Sequence, residues 1–255
     1  MTRRFWKLSG AGNDFVLLEG PLRAGGALAR RLCDRRNGIG ADGLLVLEPR
    51  SRRLSYFNAD GSRAFCGNGC RCAAVWLARR GYARTKTLEL LTDRGRLSVR
   101  LLGARKAAVA MPRPRLLRAP LLLSAAGRRW PISLWDSGAP HAVARVADVE
   151  KAPVEEAGCA LRLHRALGRA GANVDFVQVA SNGLLVRTYE RGVEAETPAC
   201  GTGLLAAGAA AEAFGWAHLP LRLIARTSVL RLWREEGRLW LAGPAKIVFT
   251  GEIAS

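Results

Sequence analysis

Two cysteines in this chain occupy the same unusual setting. Cys66 lies in Phe65-Cys66-Gly67-Asn68-Gly69 and Cys200 in Ala199-Cys200-Gly201-Thr202-Gly203. Each precedes a Gly-x-Gly step and an Ala-rich stretch that reads as a helix. A cysteine at a helix start meets unpaired backbone N–H groups and the positive end of the helix dipole. Both lower its pKa and favour the thiolate. The same N–H groups form an anion site suited to a carboxylate, which would set its own α-carbon beside the sulfur. Two such thiols, one in each half of a duplicated chain, predict proton transfer between two faces of one carbon. One sulfur acts as thiolate base and the other as thiol acid. Thiols so arranged would also form a disulfide under oxidation and inactivate the protein. The competing reading is two small buried hydrophobes that precede glycines.

Other candidates are weaker. Cys33, Cys70, Cys72 and Cys159 read as structural. The C-x3-C-x-C spacing of Cys66, Cys70 and Cys72 lacks a C-x2-C knuckle and has no nearby His, so no metal site is predicted. His141 follows Ser137-Gly138-Ala139-Pro140, a turn able to project it into a cleft, whereas His164 and His218 read as surface residues. Glu190-Arg191 closes a strand, either as solvated surface or as an amino-acid clamp, Arg for a carboxylate and Glu for an ammonium. Asn13, Asn58, Asn68 and Asn173 lie in Gly-rich loops, as turn formers or as substrate contacts.

The elements that must position these residues are legible as short runs. Strands are expected at 15–18, 44–47, 54–57, 88–91, 96–101 and 106–111, with helices at 27–33 and 70–79, the latter stopped by Gly81. The second half repeats the style, with strands at 142–146, 176–179, 184–189, 221–225, 229–233, 239–242 and 247–249. Its helix is expected at 204–214, ended by Gly215. Pro112, Pro114 and Pro120 mark a crossover between halves. Gly10-Ala11-Gly12-Asn13-Asp14-Phe15-Val16 echoes Gly171-Ala172-Asn173-Val174-Asp175-Phe176-Val177, as the two Cys-Gly-x-Gly segments echo each other. Many strands with one long helix per half predict α+β halves and not a doubly wound parallel sheet.

Composition narrows the class. The 255 residues are 49% hydrophobic, enough for one large or two smaller cores. The net charge is +19, and 35 of the 40 basic residues are arginines scattered along the chain. No zinc finger, RRM or KH signature accompanies them, so nucleic-acid binding is a distant reading. The charge would still attract carboxylate-bearing substrates. No apolar run reaches the ~18–20 residues of a membrane span. Six cysteines are too few for a disulfide scaffold. A cytoplasmic protein with reduced thiols and no membrane partner is expected, and a homodimer is compatible with the sequence.

Taken together, the motifs resemble the diaminopimelate epimerase family. The resemblance runs through Gly12-Asn13-Asp14-Phe15-Val16, Gly38-Ile39-Gly40-Ala41-Asp42-Gly43-Leu44, Phe57-Asn58-Ala59-Asp60-Gly61-Ser62 and Cys66-Gly67-Asn68-Gly69. It continues through Pro140-His141-Ala142-Val143, Asn173-Val174-Asp175-Phe176-Val177, Glu190-Arg191-Gly192 and Glu196-Thr197-Pro198-Ala199-Cys200-Gly201-Thr202-Gly203. It implies two similar, pseudo-symmetric α+β domains, each a mixed sheet curled around a central helix, with the active site in the cleft between them. The first would span 1–115, completed by 245–255, and the second 116–244. The resemblance implies pyridoxal-independent interconversion of LL- and meso-diaminopimelate without cofactor or metal, by Cys66 and Cys200 as the acid/base pair. His141 and Glu190 match the residues that tune the thiols. Gly67, Asn68, Gly201 and Thr202 match the carboxylate cradle, and Asn13, Asn58, Asn173, Glu190 and Arg191 match the substrate contacts. Ala139 stands where the family usually has Asn, and Gly43 where some members have Gln. A racemase of another amino acid, such as histidine, is the alternative on this scaffold.

Overall fold

The short apolar runs form strands, and the Ala-rich stretches form the two longest helices. The computed structural model describes residues 2–22 and 24–254. The chain divides into two compact units, residues 1–110 with 242–255, and residues 111–241.

In the first unit the strands are β1 (Thr2–Gly10), β2 (Asn13–Glu19), β3 (Gly43–Glu48), β4 (Arg53–Asn58), β5 (Arg63–Ala64), β6 (Thr87–Thr92), β7 (Gly95–Gly103) and β8 (Lys106–Met111). Helix α1 (Gly25–Cys33) bridges β2 and β3, and α2 (Gly67–Arg79) follows β5. The second unit contains β9 (Arg115–Ala125), β10 (Arg128–Asp136), β11 (Pro140–Arg145), β12 (Asn173–Ala180), β13 (Gly183–Glu190), β14 (Ala195–Thr197), β15 (Leu221–Ile224) and β16 (Val229–Glu235). Its helices are α3 (Val154–Arg162), a 3-10 turn at Arg165–Leu167, and α4 (Gly201–Ala213). β17 (Arg238–Pro244) leads into β18 (Lys246–Ala254), which pairs antiparallel with β1. The proline-marked crossover at 112–120 is therefore largely strand β9, whose exposed flank blurs the alternation.

The two units repeat one pairing scheme. β1–β2 is antiparallel, β2–β3 parallel, β3–β4 and β4–β5 antiparallel, and β4–β6 parallel. β10–β11 is likewise antiparallel, β11–β12 parallel, β12–β13 and β13–β14 antiparallel, and β13–β15 parallel. The register fixes the equivalence. Val16, Leu44, Phe57 and Arg63 face one another across β2 to β5, as Ala142, Val174, Tyr189 and Glu196 do across β11 to β14. Val16 and Leu44 pack with α1, and Ala142 and Val174 with the cluster that includes α3, so the faces agree as well. This corrects the repeat read from sequence. The segment beginning at Gly171 is the counterpart of the entry to β3, not of Gly10–Val16; a shared Asp-Phe-Val drew the match to the wrong strand.

Each unit wraps strands around one helix. α2 packs against β1, β3, β4, β6, β7 and β18, and α4 against β10, β11, β12, β13 and β15. α4 is apolar on every side, and Leu204, Leu205, Ala206, Ala207, Ala210 and Ala211 are buried, as a central helix requires. Burial of each leucine contributes about 1.5–3 kcal/mol. Both helices end in a left-handed glycine, Gly81 and Gly215, with the closing hydrogen bonds Tyr82 N–H to Leu77 O and Trp216 N–H to Ala211 O. Both start three residues earlier than the Ala-rich runs indicated, at Gly67 and Gly201, so the glycines belong to the first turn.

Candidate active site

Cys66 and Cys200 are the N-cap residues of the two central helices, each with an extended backbone. The first helical hydrogen bonds run from Cys70 N–H to Cys66 O and from Leu204 N–H to Cys200 O. The N–H groups of residues 67–69 and 201–203 therefore open the two helices, where an anion is favoured. The Gly69 N–H points at the Cys66 sulfur, 3.4 Å away.

The helix starts alone do not leave these thiols acidic. Burial raises the Cys66 pKa, outweighing the Gly69 and Asn68 N–H groups and the nearby Arg71 charge. Burial raises Cys200 too, reinforced by the Glu190 and Asp175 carboxylates and only partly offset by Thr202 and Gly203. The expected lowering is thus reversed, because removal of a thiolate from water costs more than a few N–H dipoles return. Among the remaining cysteines, Cys33, Cys70 and Cys72 are buried; Cys159 is exposed and hydrogen-bonds Tyr189.

Around Cys66, a chain of oriented amides connects two of the expected residues, Asn68 and Asn13. The buried Arg71 guanidinium donates to Asn68 Oδ1, Asn68 Nδ2 donates to Asn13 Oδ1 at 2.6 Å, and Asn13 Nδ2 donates to Asp42 Oδ2 at 3.0 Å. Asp42 and Asp14 share Arg35, and Lys7 caps Asp14 at 2.7 Å. Burial alone would raise the Asp14 carboxyl, but Arg35 and Lys7 bring it down to about 2. Asn58 stands apart from this chain. It ends β4, and its Nδ2 donates to Ser62 Oγ at 2.9 Å within a tight turn.

Around Cys200 the groups are titratable. His141, Asn173 and Glu190 lie one position beyond the matched row of strands, where the first unit has Phe15, Gly43 and Asn58. His141 is fully buried; its Nδ1 meets Asp175 Oδ2 at 2.7 Å and its Nε2 meets Thr202 Oγ1 at 2.9 Å. Thr202 Oγ1 lies 3.4 Å from the Cys200 sulfur. Glu190 is within hydrogen-bond reach of that thiol, accepts from Thr197 Oγ1 at 2.9 Å, and is raised above the usual carboxylate range by burial. Asn173 spends its amide on Pro140 O, His141 and the Arg191 N–H. The Arg191 guanidinium contacts Gly171 O at 3.4 Å, so Glu190 and Arg191 have separate partners.

Sequence reasoning did not single out Asp175, Thr188, Ser137 or Arg71. Asp175 is completely buried, accepts from Thr188 Oγ1 at 2.7 Å, and sits against Gly203, where a Cβ would collide with it. Ser137 Oγ donates to Thr202 O at 2.8 Å. The signal for Asp175 was available. On a strand, residues two apart share a face, so Asp175 lies on the side of Asn173.

Comparisons with known proteins agree with this architecture. The diaminopimelate epimerase family profile matches residues 5–117 and 134–219. A diaminopimelate epimerase of Desulforudis audaxviator is 38% identical over 97% of this chain and 98% of its own. One from Halorhodospira halophila is 37% identical over 98% of this chain and 94% of its own. A PhzF-family phenazine biosynthesis protein from Enterococcus faecalis superposes over 100% of both chains with a TM-score of 0.77 at 18% identity. A probable proline racemase from Agrobacterium radiobacter K84 covers 99% of this chain and 93% of its own, with a TM-score of 0.75 at 14% identity. At such identities these two report the fold alone, a sheet-dominated α+β architecture. Among the described residues, no helix is long and apolar enough to cross a membrane. The sequence identity extends through both cysteine-capped helices and nearly end to end, and on it the chain belongs to the diaminopimelate epimerase family.

Proposed function

We propose that this chain interconverts LL- and meso-diaminopimelate by a two-base reaction that needs no pyridoxal cofactor. The reading assigns it to lysine and cell-wall precursor synthesis in the cytoplasm, where free thiols persist. The observation that carries the reading is the equivalence of Cys66 and Cys200, each the N-cap of a thirteen-residue central helix in a repeated unit. One thiolate takes the α-proton. Charge left on the α-carbon spreads into the α-carboxylate, which helix-opening N–H groups stabilise. The other thiol delivers a proton to the opposite face, and the sulfurs exchange roles in the reverse direction. Burial keeps the thiols protonated at rest; a substrate α-ammonium beside a sulfur favours its thiolate.

The test is α-proton exchange in deuterated water with diaminopimelate and a panel of amino acids including histidine. Diaminopimelate should exchange and epimerise, and Cys66→Ala and Cys200→Ala should each lose at least about 100-fold, the scale of a lost general acid or base. Exchange with histidine alone would replace the substrate, which Ala139 makes worth including. Full activity in both variants would end the two-thiol reading.

A further inference from the structure

The hydrogen bonds around Asn173 fix more than its own orientation. Its Oδ1 accepts the Arg191 N–H at 2.8 Å, and its Nδ2 donates to Pro140 O at 3.1 Å. A donor on one side and an acceptor on the other leave the amide one way round. The same Nδ2 lies 3.2 Å from His141 Nε2. An amide nitrogen only donates, so Nε2 presents its lone pair and the imidazole proton sits on Nδ1. That proton is donated to Asp175 Oδ2 at 2.7 Å, and Thr188 Oγ1 donates to the other carboxylate oxygen at 2.7 Å. Thr202 Oγ1, 2.9 Å from Nε2, is then the nearer of two donors that share this lone pair with Asn173 Nδ2, and its own lone pair accepts from the Cys200 thiol at 3.4 Å.

We infer that the Thr202 hydroxyl relays the Cys200 proton to His141, and that Asp175 and Asn173 are positioning residues that set the imidazole tautomer the relay requires. The role given to Cys200 rests on the proposed two-thiol reaction. The S–H bond breaks as a new O–H forms on Thr202, while the original Thr202 O–H breaks as Nε2–H forms. The products are a thiolate and an imidazolium paired with Asp175; nothing is oxidised or reduced, and the same path returns the proton. The charged groups facing the sulfur are Glu190 from β13 and Asp175 from β12. Ionised Glu190 opposes a thiolate, whereas the neutral imidazole does not. The first unit cannot copy the device, because Asn68 follows Cys66 at the Thr202 position and Phe15 occupies the place of His141.

The test uses the whole protein without substrate. Alkylation by iodoacetamide at neutral pH is followed for each cysteine by mass spectrometry in the parent, Thr202→Val and Thr202→Ser. The valine variant should slow Cys200 at least about tenfold, the serine variant should restore it to within about threefold, and Cys66 should be indifferent in both. In parallel, 15N spectra of the three histidines, assigned with His141→Gln, should show His141 protonated at Nδ1 and bare at Nε2. Unchanged Cys200 reactivity in Thr202→Val, dependence on Glu190→Gln in its place, or a proton on Nε2 overturns the relay. Neither readout involves diaminopimelate. A protein with both signatures but no epimerase activity would sink the substrate reading and keep the relay; an active enzyme lacking them would do the reverse.

Discussion

Nδ1 of His141 lies 2.7 Å from Oδ2 of Asp175, and neither side chain is exposed to solvent. A carboxylate so buried is tolerated only because its oxygens are occupied, here by the imidazole and by Thr188. Asp175→Asn places an amide among donors that need an acceptor. It should lower stability by roughly 1–3 kcal/mol in urea titrations, the cost of a mispaired buried polar group. Its epimerase kcat should drop at least about 100-fold, beyond what altered substrate binding would cause. Parent-like kcat would remove Asp175 from the catalytic support.

Gly203 follows from the same relationship. A Cβ there collides with Asp175 Oδ1 and lies 3.1 Å from Thr188 Oγ1. Gly203→Ala, although favourable to helix propensity, should destabilise by about 1–3 kcal/mol through overpacking. The double variant Gly203→Ala with Asp175→Ala should recover part of that loss, since the clashing atom is gone. Additive losses would show that the strain lies elsewhere.

Glu190 gives a pH signature. Burial keeps its folded pKa above the ordinary 4.5, so the folded protein binds the proton more tightly than the unfolded chain. Stability from this group is therefore full below that value and is lost as pH rises through the folded pKa. Glu190→Gln does not titrate. Its stability relative to the parent should improve between about pH 4.5 and pH 8 in paired urea titrations. A difference that falls with pH would contradict the burial of this carboxyl.

Arg71 is fully buried, and two of its guanidinium nitrogens have no protein partner among the described residues. Its one acceptor among the described residues is Asn68, which orients Asn13 in turn. Arg71→Met should be neutral or stabilising in thermal melts, as replacement of a buried charge by an apolar side chain often is. It should still raise KM several-fold by releasing the Asn68 amide. A sharply lowered melting temperature would mean that the guanidinium carries the packing of α2.

Local features were readable because they depend on neighbours in sequence. The cysteine N-caps, the glycine stops at Gly81 and Gly215, and most strands follow from short-range pattern. Helix α3 escaped notice: its Ala157, Gly158 and Leu161 bury a narrow face, and Gly158 is selected by contact with Tyr189, not by helix propensity. The α+β class and the family motifs were likewise carried by the chain itself.

Long-range pairing decided the rest. Sequence alone identified two thiols at two helix starts, and only the family resemblance pointed to His141 and Glu190 as accessory groups. It could not state their protonation, since desolvation depends on what strands from distant segments pack over each sulfur. Nor could it align the repeat, because register between β2 and β3, and between β11 and β12, is a property of hydrogen-bonded neighbours. Tertiary structure set Asp175 behind His141, put Thr202 between His141 and Cys200, and gave the second unit His141 and Glu190 where the first has Phe15 and Asn58. The physical reason is common to all three. A strand's side-chain pattern states which face is buried, but only the paired sheet states which polar atoms meet there.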